Sequence, residues 1–241
     1  MDRMIYLSMS AAKATMQRQD ALANNLANVS TPGFRAELEA FRAVPVLGSG
    51  ASTRVYALET TTGYDPTPGP VTSTGRNLDV AVKGNSWLAV QALDGTEAYT
   101  RGGSFEVSND GTLMNHSGLP VIGGGGPLQV PPNAAVSIGA DGTVSAKGND
   151  GKVTTVGKLK LVTPETPLVR GDDGLFRGND GDLSADDTAR VQDGALEGSN
   201  VSAVESMVSM IAAARQFEAQ LKMISTAEGD EKAAAQLLSA N

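Results

Sequence analysis

The sequence predicts a mainly β protein with helical termini: a central antiparallel β domain, built as a sandwich or partly closed barrel, plus N- and C-terminal helices that pair as a coiled-coil-like layer. Three observations carry this reading. Of the 28 glycines, 24 fall between Gly63 and Gly198, and 9 of the 11 prolines fall between Pro66 and Pro167, which concentrates in the middle the residues most costly inside a helix. The same middle carries six turn signals, and both ends carry apolar residues at helical spacing. The boundaries that follow are an N-terminal helical segment over 1–42, an extended or irregular linker over 43–75, a central β domain over 76–197 and a C-terminal helix over 198–241.

At the N-terminus, Ile5, Met9, Ala12, Met16, Gln19, Ala23 and Leu26 recur at alternating steps of four and three, which places them on one stripe of a helix broken only by Gln19. The helix should stop by about Ser30. Pro32 disfavours helical geometry at Thr31, and Thr31-Pro32-Gly33-Phe34 has Pro and Gly in the two central places of a type II turn. A second short helix is expected over Ala36 to Arg42.

In the middle, Asp94-Gly95, Asn109-Asp110-Gly111, Asp141-Gly142, Asn149-Asp150-Gly151, Asp173-Gly174 and Asn179-Asp180-Gly181 supply residues that tolerate the positive φ of tight hairpin turns. Between them lie β-branched or alternating apolar runs at 78–82, 87–90, 105–107, 136–138, 143–146 and 158–162, each read as a short strand. The helical spacing returns in Ala203, Met207, Met210, Ala214, Phe217, Leu221 and Ile224, after a capping-box pair of Ser202 and Glu205. This stripe lapses at Glu228-Gly229-Asp230, and Ala235 and Leu238 resume it in what reads as a separate final piece of helix. Helical stripes at both ends need a partner, and each is the other's nearest candidate.

Composition narrows the function. The chain has no Cys and one His, His116, so thiolate ligands, redox pairs and most histidine chemistry are removed together. A net charge of -8 leaves no basic surface for phosphates, so nucleic acid is not expected as a partner. No apolar run approaches a membrane span or a cleavable signal, so no direct membrane insertion is expected. The glycine run 123–126 lacks the lysine and helix of a phosphate cradle. His116 reads as a surface residue of a hairpin turn, with no second His to build a triad. The acidic stretch Asn179 to Asp187 reads as a solvated turn, with an oxygen-ligated calcium site as the other reading. No catalytic, cofactor or metal residue is expected.

Asn24-Asn25-Leu26-Ala27-Asn28 is unusual, because asparagine is a poor residue for a helix interior. Two readings stand: the amides of Asn24 and Asn28 share a face and bond across a helix contact, or the run simply ends the helix before Pro32.

The run Asn24 to Arg35 closely resembles the signature of the flagellar rod and hook proteins. The match continues through Leu78-Asp79-Val80-Ala81-Val82-Lys83-Gly84, Ala98-Tyr99-Thr100-Arg101-Gly102-Gly103-Ser104-Phe105 and Ser199-Asn200-Val201, leading into the helix with Arg215 and Phe217. The opening Met1 to Tyr6, the segment Ala36 to Val46 and the modest length look most like a short rod subunit rather than the longer distal-rod or hook subunits. One departure stands out: Asn85-Ser86-Trp87-Leu88 replaces the family's Gly-Phe-Phe, so Trp87 must fill that space differently.

The resemblance implies a structural subunit of a hollow, torque-transmitting rod, exported through the flagellar type III apparatus without a cleaved signal peptide and built in the periplasm. Its partners are the proximal rod subunits, the distal rod protein and further copies of itself. The implied assembly interface consists of Ile5, Met9, Met16, Asn24, Asn25, Leu26, Asn28, Phe34, Met207, Met210, Phe217, Leu221 and Ile224, with the asparagines setting polar register. Competing readings are a distal rod or hook subunit, an exported β-domain protein that binds glycan or peptide, and a periplasmic hydrolase.

Overall fold

The computed structural model describes residues 2–45, 55–132, 134–148, 151–179 and 181–239. Residues 1, 46–54, 133, 149–150, 180 and 240–241 lie outside the described residues, and with them parts of the turn signals at 149–151 and 179–181. The chain divides into two compact units. One comprises Met1–Val29, Ala36–Asp65 and Val201–Asn241, and the other Ser30–Arg35 and Pro66–Asn200.

The first unit is helical with one hairpin. Helix α1 runs over Asp2–Ala27 and helix α2 over Ala203–Ser239, and the two pack along each other. Helix α1 ends where Pro32 and its neighbours demand, with the Asn28 amide donating to the Asn24 carbonyl at 3.1 Å. Ser202 caps α2: its hydroxyl accepts from the Glu205 amide at 3.4 Å and its carbonyl from the Ser206 amide at 2.9 Å. Helix α2 continues unbroken through Glu228-Gly229-Asp230, so the expected separate final piece does not exist. One glycine in a helix interior costs only about 1 kcal/mol relative to alanine, which the following Ala233-Ala234-Ala235 readily offsets.

The short helix expected over Ala36 to Arg42 is instead a strand, Glu37–Pro45, paired antiparallel with Val55–Tyr64 and bulged between Leu38 and Ala40. The Ala, Glu, Leu and Arg of this segment favour a helix by only a few tenths of a kcal/mol each. A backbone ladder eight partners long, packed beside α1, overrides that preference. The stretch 43–75, expected as an extended or irregular linker, therefore carries the end of this strand, all of Val55–Tyr64 and Val71–Ser73.

The second unit is antiparallel β throughout its described residues. Its largest sheet has five strands in the order 161–162, 87–91, 97–100, 176–177, 169–170, and a second has three, 135–138, 143–147 and 153–158. Two-stranded ribbons complete it: 105–107 with 113–115, 122–123 with 126–127, 80–82 with 191–193, and 71–73 with 195–197. These are small open sheets, so the partly closed barrel is not formed. The segments are too short: most strands have two to five residues, and closing a barrel needs a continuous staggered ladder. The main core buries Val80, Leu88, Phe105, Leu113, Val121, Val144, Leu161 and Val191, and a smaller cluster gathers Val90, Ala92, Ala98, Leu119 and Leu175.

The turn signals have a common construction. The glycine of each of the six has a positive φ. In the Asp-Gly-Thr turns the carboxylate of Asp94, Asp110 or Asp141 accepts from both the amide and the hydroxyl of the threonine two residues on, an Asx-type closure. His116 follows strand 113–115 as an exposed residue. Trp87 fills its space by packing on Phe176, with ring centroids 4.6 Å apart and planes tilted 51°, an edge-to-face type of contact.

Candidate assembly interface

The buried side chains of α1 are small: Ser8, Ala12, Thr15, Ala21 and Asn25. On α2 the buried ones are Ser206 and Ala213. Small side chains let neighbouring backbones approach closely, and the Thr15 hydroxyl donates to the Ala11 carbonyl at 2.8 Å, so it needs no partner across the seam.

The expected interface residues divide accordingly. Met9 is 62% and Met16 51% exposed, and Met207 and Leu221 are 47% and 48% exposed. Ile5, Leu26, Met210, Phe217 and Ile224 are half-buried. The 4-3 spacing thus marks a stripe between the seam and the outer surface. Tyr6, Val204, Val208, Ile211 and Met223 also stand exposed and were missed. Val204, Val208 and Ile211 form a second 4-3 stripe, a signal present in the sequence but masked by the first.

The asparagines do different things. Asn24 is exposed, and Asn28 donates to its carbonyl at 2.9 Å and its side-chain oxygen at 3.0 Å, so this pair shares a face at i and i+4 and closes the helix end. Asn25 is buried: its amide group donates to the Glu37 carbonyl at 3.0 Å and accepts from the Glu37 amide at 2.7 Å. It ties helix to hairpin within the unit. Phe34 belongs to the β unit, half-buried, with the Arg170 guanidinium 4.7 Å above its ring.

The β unit includes the short stretch Ser30–Arg35 and the last residues before Val201, next to three of the four points where the chain passes between the units. Thr31 to Phe34 forms the expected turn, with the Phe34 amide donating to the Thr31 carbonyl at 3.2 Å and Gly33 at φ +71°. Residues 33–35 run beside residues 197–200: the Gly33 amide donates to the Glu197 carbonyl at 2.8 Å and the Asn200 amide to the Phe34 carbonyl at 3.3 Å. The Glu197 carboxylate lies between two buried guanidiniums, 2.5 Å from Arg35 Nη1 and 2.5 Å from Arg101 Nη2. Arg101 also donates to the carbonyls of Val82, Gly84 and Ser86 at 3.0, 2.9 and 2.5 Å.

In the acidic stretch, Asp186 accepts from Thr163 and Thr188 hydroxyls, both at 2.6 Å, and Asp187 pairs with Lys158 at 2.9 Å. Among the described residues no three acidic or histidine side chains group as a metal cage, and no helix is long and apolar enough to cross a membrane.

Two packed helices that keep large apolar side chains outward, joined in one chain to a small-sheet β unit, have the build of a structural subunit completed by assembly. Residues 5–35 match the family described as flagella basal body rod protein, 81–146 the flagellar hook protein FlgE/F/G D1 domain, and 192–237 the flagellar basal body rod FlgEFG protein C-terminal family. The chain is 49% identical to the flagellar basal-body rod protein FlgF of Salmonella typhimurium and to that of Escherichia coli, each over 99% of both chains, and 33% identical to FlgF of Caulobacter vibrioides over 95% of both. It is also 32% identical to the rod protein FlgG of Bacillus subtilis, over 94% of this chain and 95% of that one. The chain belongs to the flagellar basal-body rod protein FlgF family. That family is one of structural proteins of the flagellum, not enzymes.

Proposed function

We propose that this chain forms the part of the rod between the proximal rod subunits and the distal rod, with α1 and α2 in the wall of a hollow torque-transmitting shaft. The observation that carries this is the division of side chains on the helices: the fully buried residues are small, while Met9, Met16, Met207 and Leu221 are about half exposed or more. Burying a Met, Leu, Ile or Val side chain contributes roughly 1.5–3 kcal/mol when complete, so outward stripes on two long helices provide a strong drive to pair with neighbouring helices in coiled-coil fashion. Helices packed along a shaft resist twisting better than hairpins joined by loops.

Ile5, Met9, Met16, Leu26, Met207, Met210, Phe217, Leu221 and Ile224 supply apolar contact in this reading, Asn24 and Asn28 polar register, and Phe34 the start of the β unit. Asn25 acts inside the subunit. Neighbours are other rod subunits and further copies of the chain. Delivery by the flagellar type III export apparatus, without a cleaved signal peptide, and residence in the periplasmic stretch of the basal body complete the proposal. The lack of Cys suits an unfolded chain entering an oxidising compartment.

The experiment strips hooks and filaments from isolated basal bodies and quantifies this chain by mass spectrometry. Retention in fixed proportion to the other rod subunits is expected. Loss with the hook overturns the placement.

A further inference from the structure

We infer that Arg35, Glu197 and Arg101 form an ionic pin that fastens the entering and leaving chains to each other and to the β unit, and that Arg35 is the member that acts on the junction alone. Arg35, the last residue of the run 24–35, and Arg101, within 98–105, meet around the carboxylate of Glu197, two residues before Ser199-Asn200-Val201. All three charged side chains are at most 3% exposed. Glu197 Oε1 faces Arg35 and accepts from the Gly69 amide at 3.1 Å, while Oε2 accepts from Arg101 Nε at 2.8 Å. The Trp87 ring lies about equally far from the two guanidinium carbons, 6.0 Å from that of Arg35 and 5.9 Å from that of Arg101, so one indole backs both cations.

The charge arithmetic separates the roles. The triad holds two cations and one anion, and buried charges are tolerated only when paired. Removing Arg35 leaves a neutral Arg101–Glu197 pair, still bonded to the carbonyls of Val82, Gly84 and Ser86. Removing Glu197 leaves two buried guanidiniums without the anion they share. Removing Arg101 leaves three carbonyls without their donor. Arg35 is therefore the one dispensable to the β unit, and its connection to residues 33–34, whose backbone bonds Glu197 and Asn200, confines its effect to the paired stretches 33–35 and 197–200. This inference rests on the junction geometry and holds whether or not the placement in the rod is right.

The test compares hydrogen exchange of the full chain and its Arg35→Met, Arg35→Lys and Glu197→Gln variants, read by mass spectrometry on peptides covering 30–36, 197–203 and the strands 80–91. Arg35→Met is expected to speed exchange at the Gly33 and Asn200 amides at least tenfold while leaving 80–91 unchanged, Arg35→Lys to restore most of the protection by keeping the charge, and Glu197→Gln to speed all three regions. Unchanged exchange at the Gly33 and Asn200 amides in Arg35→Met, or an equal rise over 80–91, overturns the inference. So does failure of lysine to restore protection.

Discussion

Asn25 and Glu37 exchange two hydrogen bonds as neighbouring strand residues do, but one partner is a side chain: the amide of Asn25 both donates to and accepts from the backbone of Glu37. A helix residue thus supplies the edge that the first residue of the hairpin lacks. Removing it leaves a backbone donor and acceptor without partners in a partly buried place. Asn25→Ala is expected to destabilise the helical unit by about 1–3 kcal/mol and to speed amide exchange in 37–45, with the β unit unaffected. Exchange confined to the end of α1 contradicts this role.

Gly33 and Gly84 both have positive φ, +71° and +67°, but their surroundings differ. A Cβ on Gly33 runs into the Arg101 carbonyl and the Gly102 amide nitrogen, whereas one on Gly84 meets nothing within 4 Å. Gly84→Ala is expected to cost about 1–2 kcal/mol, the penalty for left-handed backbone, and Gly33→Ala clearly more. Urea unfolding of the two variants checks the difference.

The carboxylates that close the Asp turns are held below the usual aspartate range by the hydroxyls they accept from, and Asp186 is drawn down to about 2 by Thr163 and then Thr188. A folded pKa below the unfolded value of about 3.9 means that the stabilisation is complete above that pH and is lost as pH falls towards 2. The urea midpoint should therefore fall between about pH 4 and pH 2, and less steeply in Asp186→Asn. Identical slopes in the variant contradict the assignment.

Trp87 is the single tryptophan, buried against Phe176. Its emission should be blue-shifted in the folded chain and should report unfolding of the β unit. Trp87→Ala is expected to cost about 3–5 kcal/mol, measured by the unfolding midpoint.

Gly229 lies within α2 with open space where a Cβ would stand. Gly229→Ala should add about 0.5–1 kcal/mol to the helix, seen as a rise in its melting temperature by circular dichroism.

Much of this was legible because it rests on local chemistry. Asp-Gly turns, the Pro32-Gly33 turn and the Ser202 cap are set by neighbours a few residues away, and they lie where the residues place them. What was not legible depends on distant partners. The strand over 37–45 has helix-forming residues and becomes a strand only through pairing with 55–64. Periodicity shows that a stripe exists, not which flank faces inward. The seam of α1 uses Ser8, Ala12 and Thr15; only Ala12 belongs to the stripe, because Ser8 and Thr15 are too polar to enter a hydrophobic pattern, while the stripe's Met9 and Met16 lie off the seam. Glu197 was missed for a similar reason: a lone glutamate in Leu-Glu-Gly carries no signal until Arg35 and Arg101 are beside it.

The central claim is that the outward apolar faces of α1 and α2 make the assembly interface. The most direct measurement is the incorporation of Met207→Asp/Leu221→Asp into isolated basal bodies, set beside the Trp87 unfolding transition of the same purified chain. Both replaced side chains are about half exposed, so the account predicts an unchanged β-unit transition and at least a tenfold loss of incorporation. Normal incorporation, or loss of both together, contradicts it.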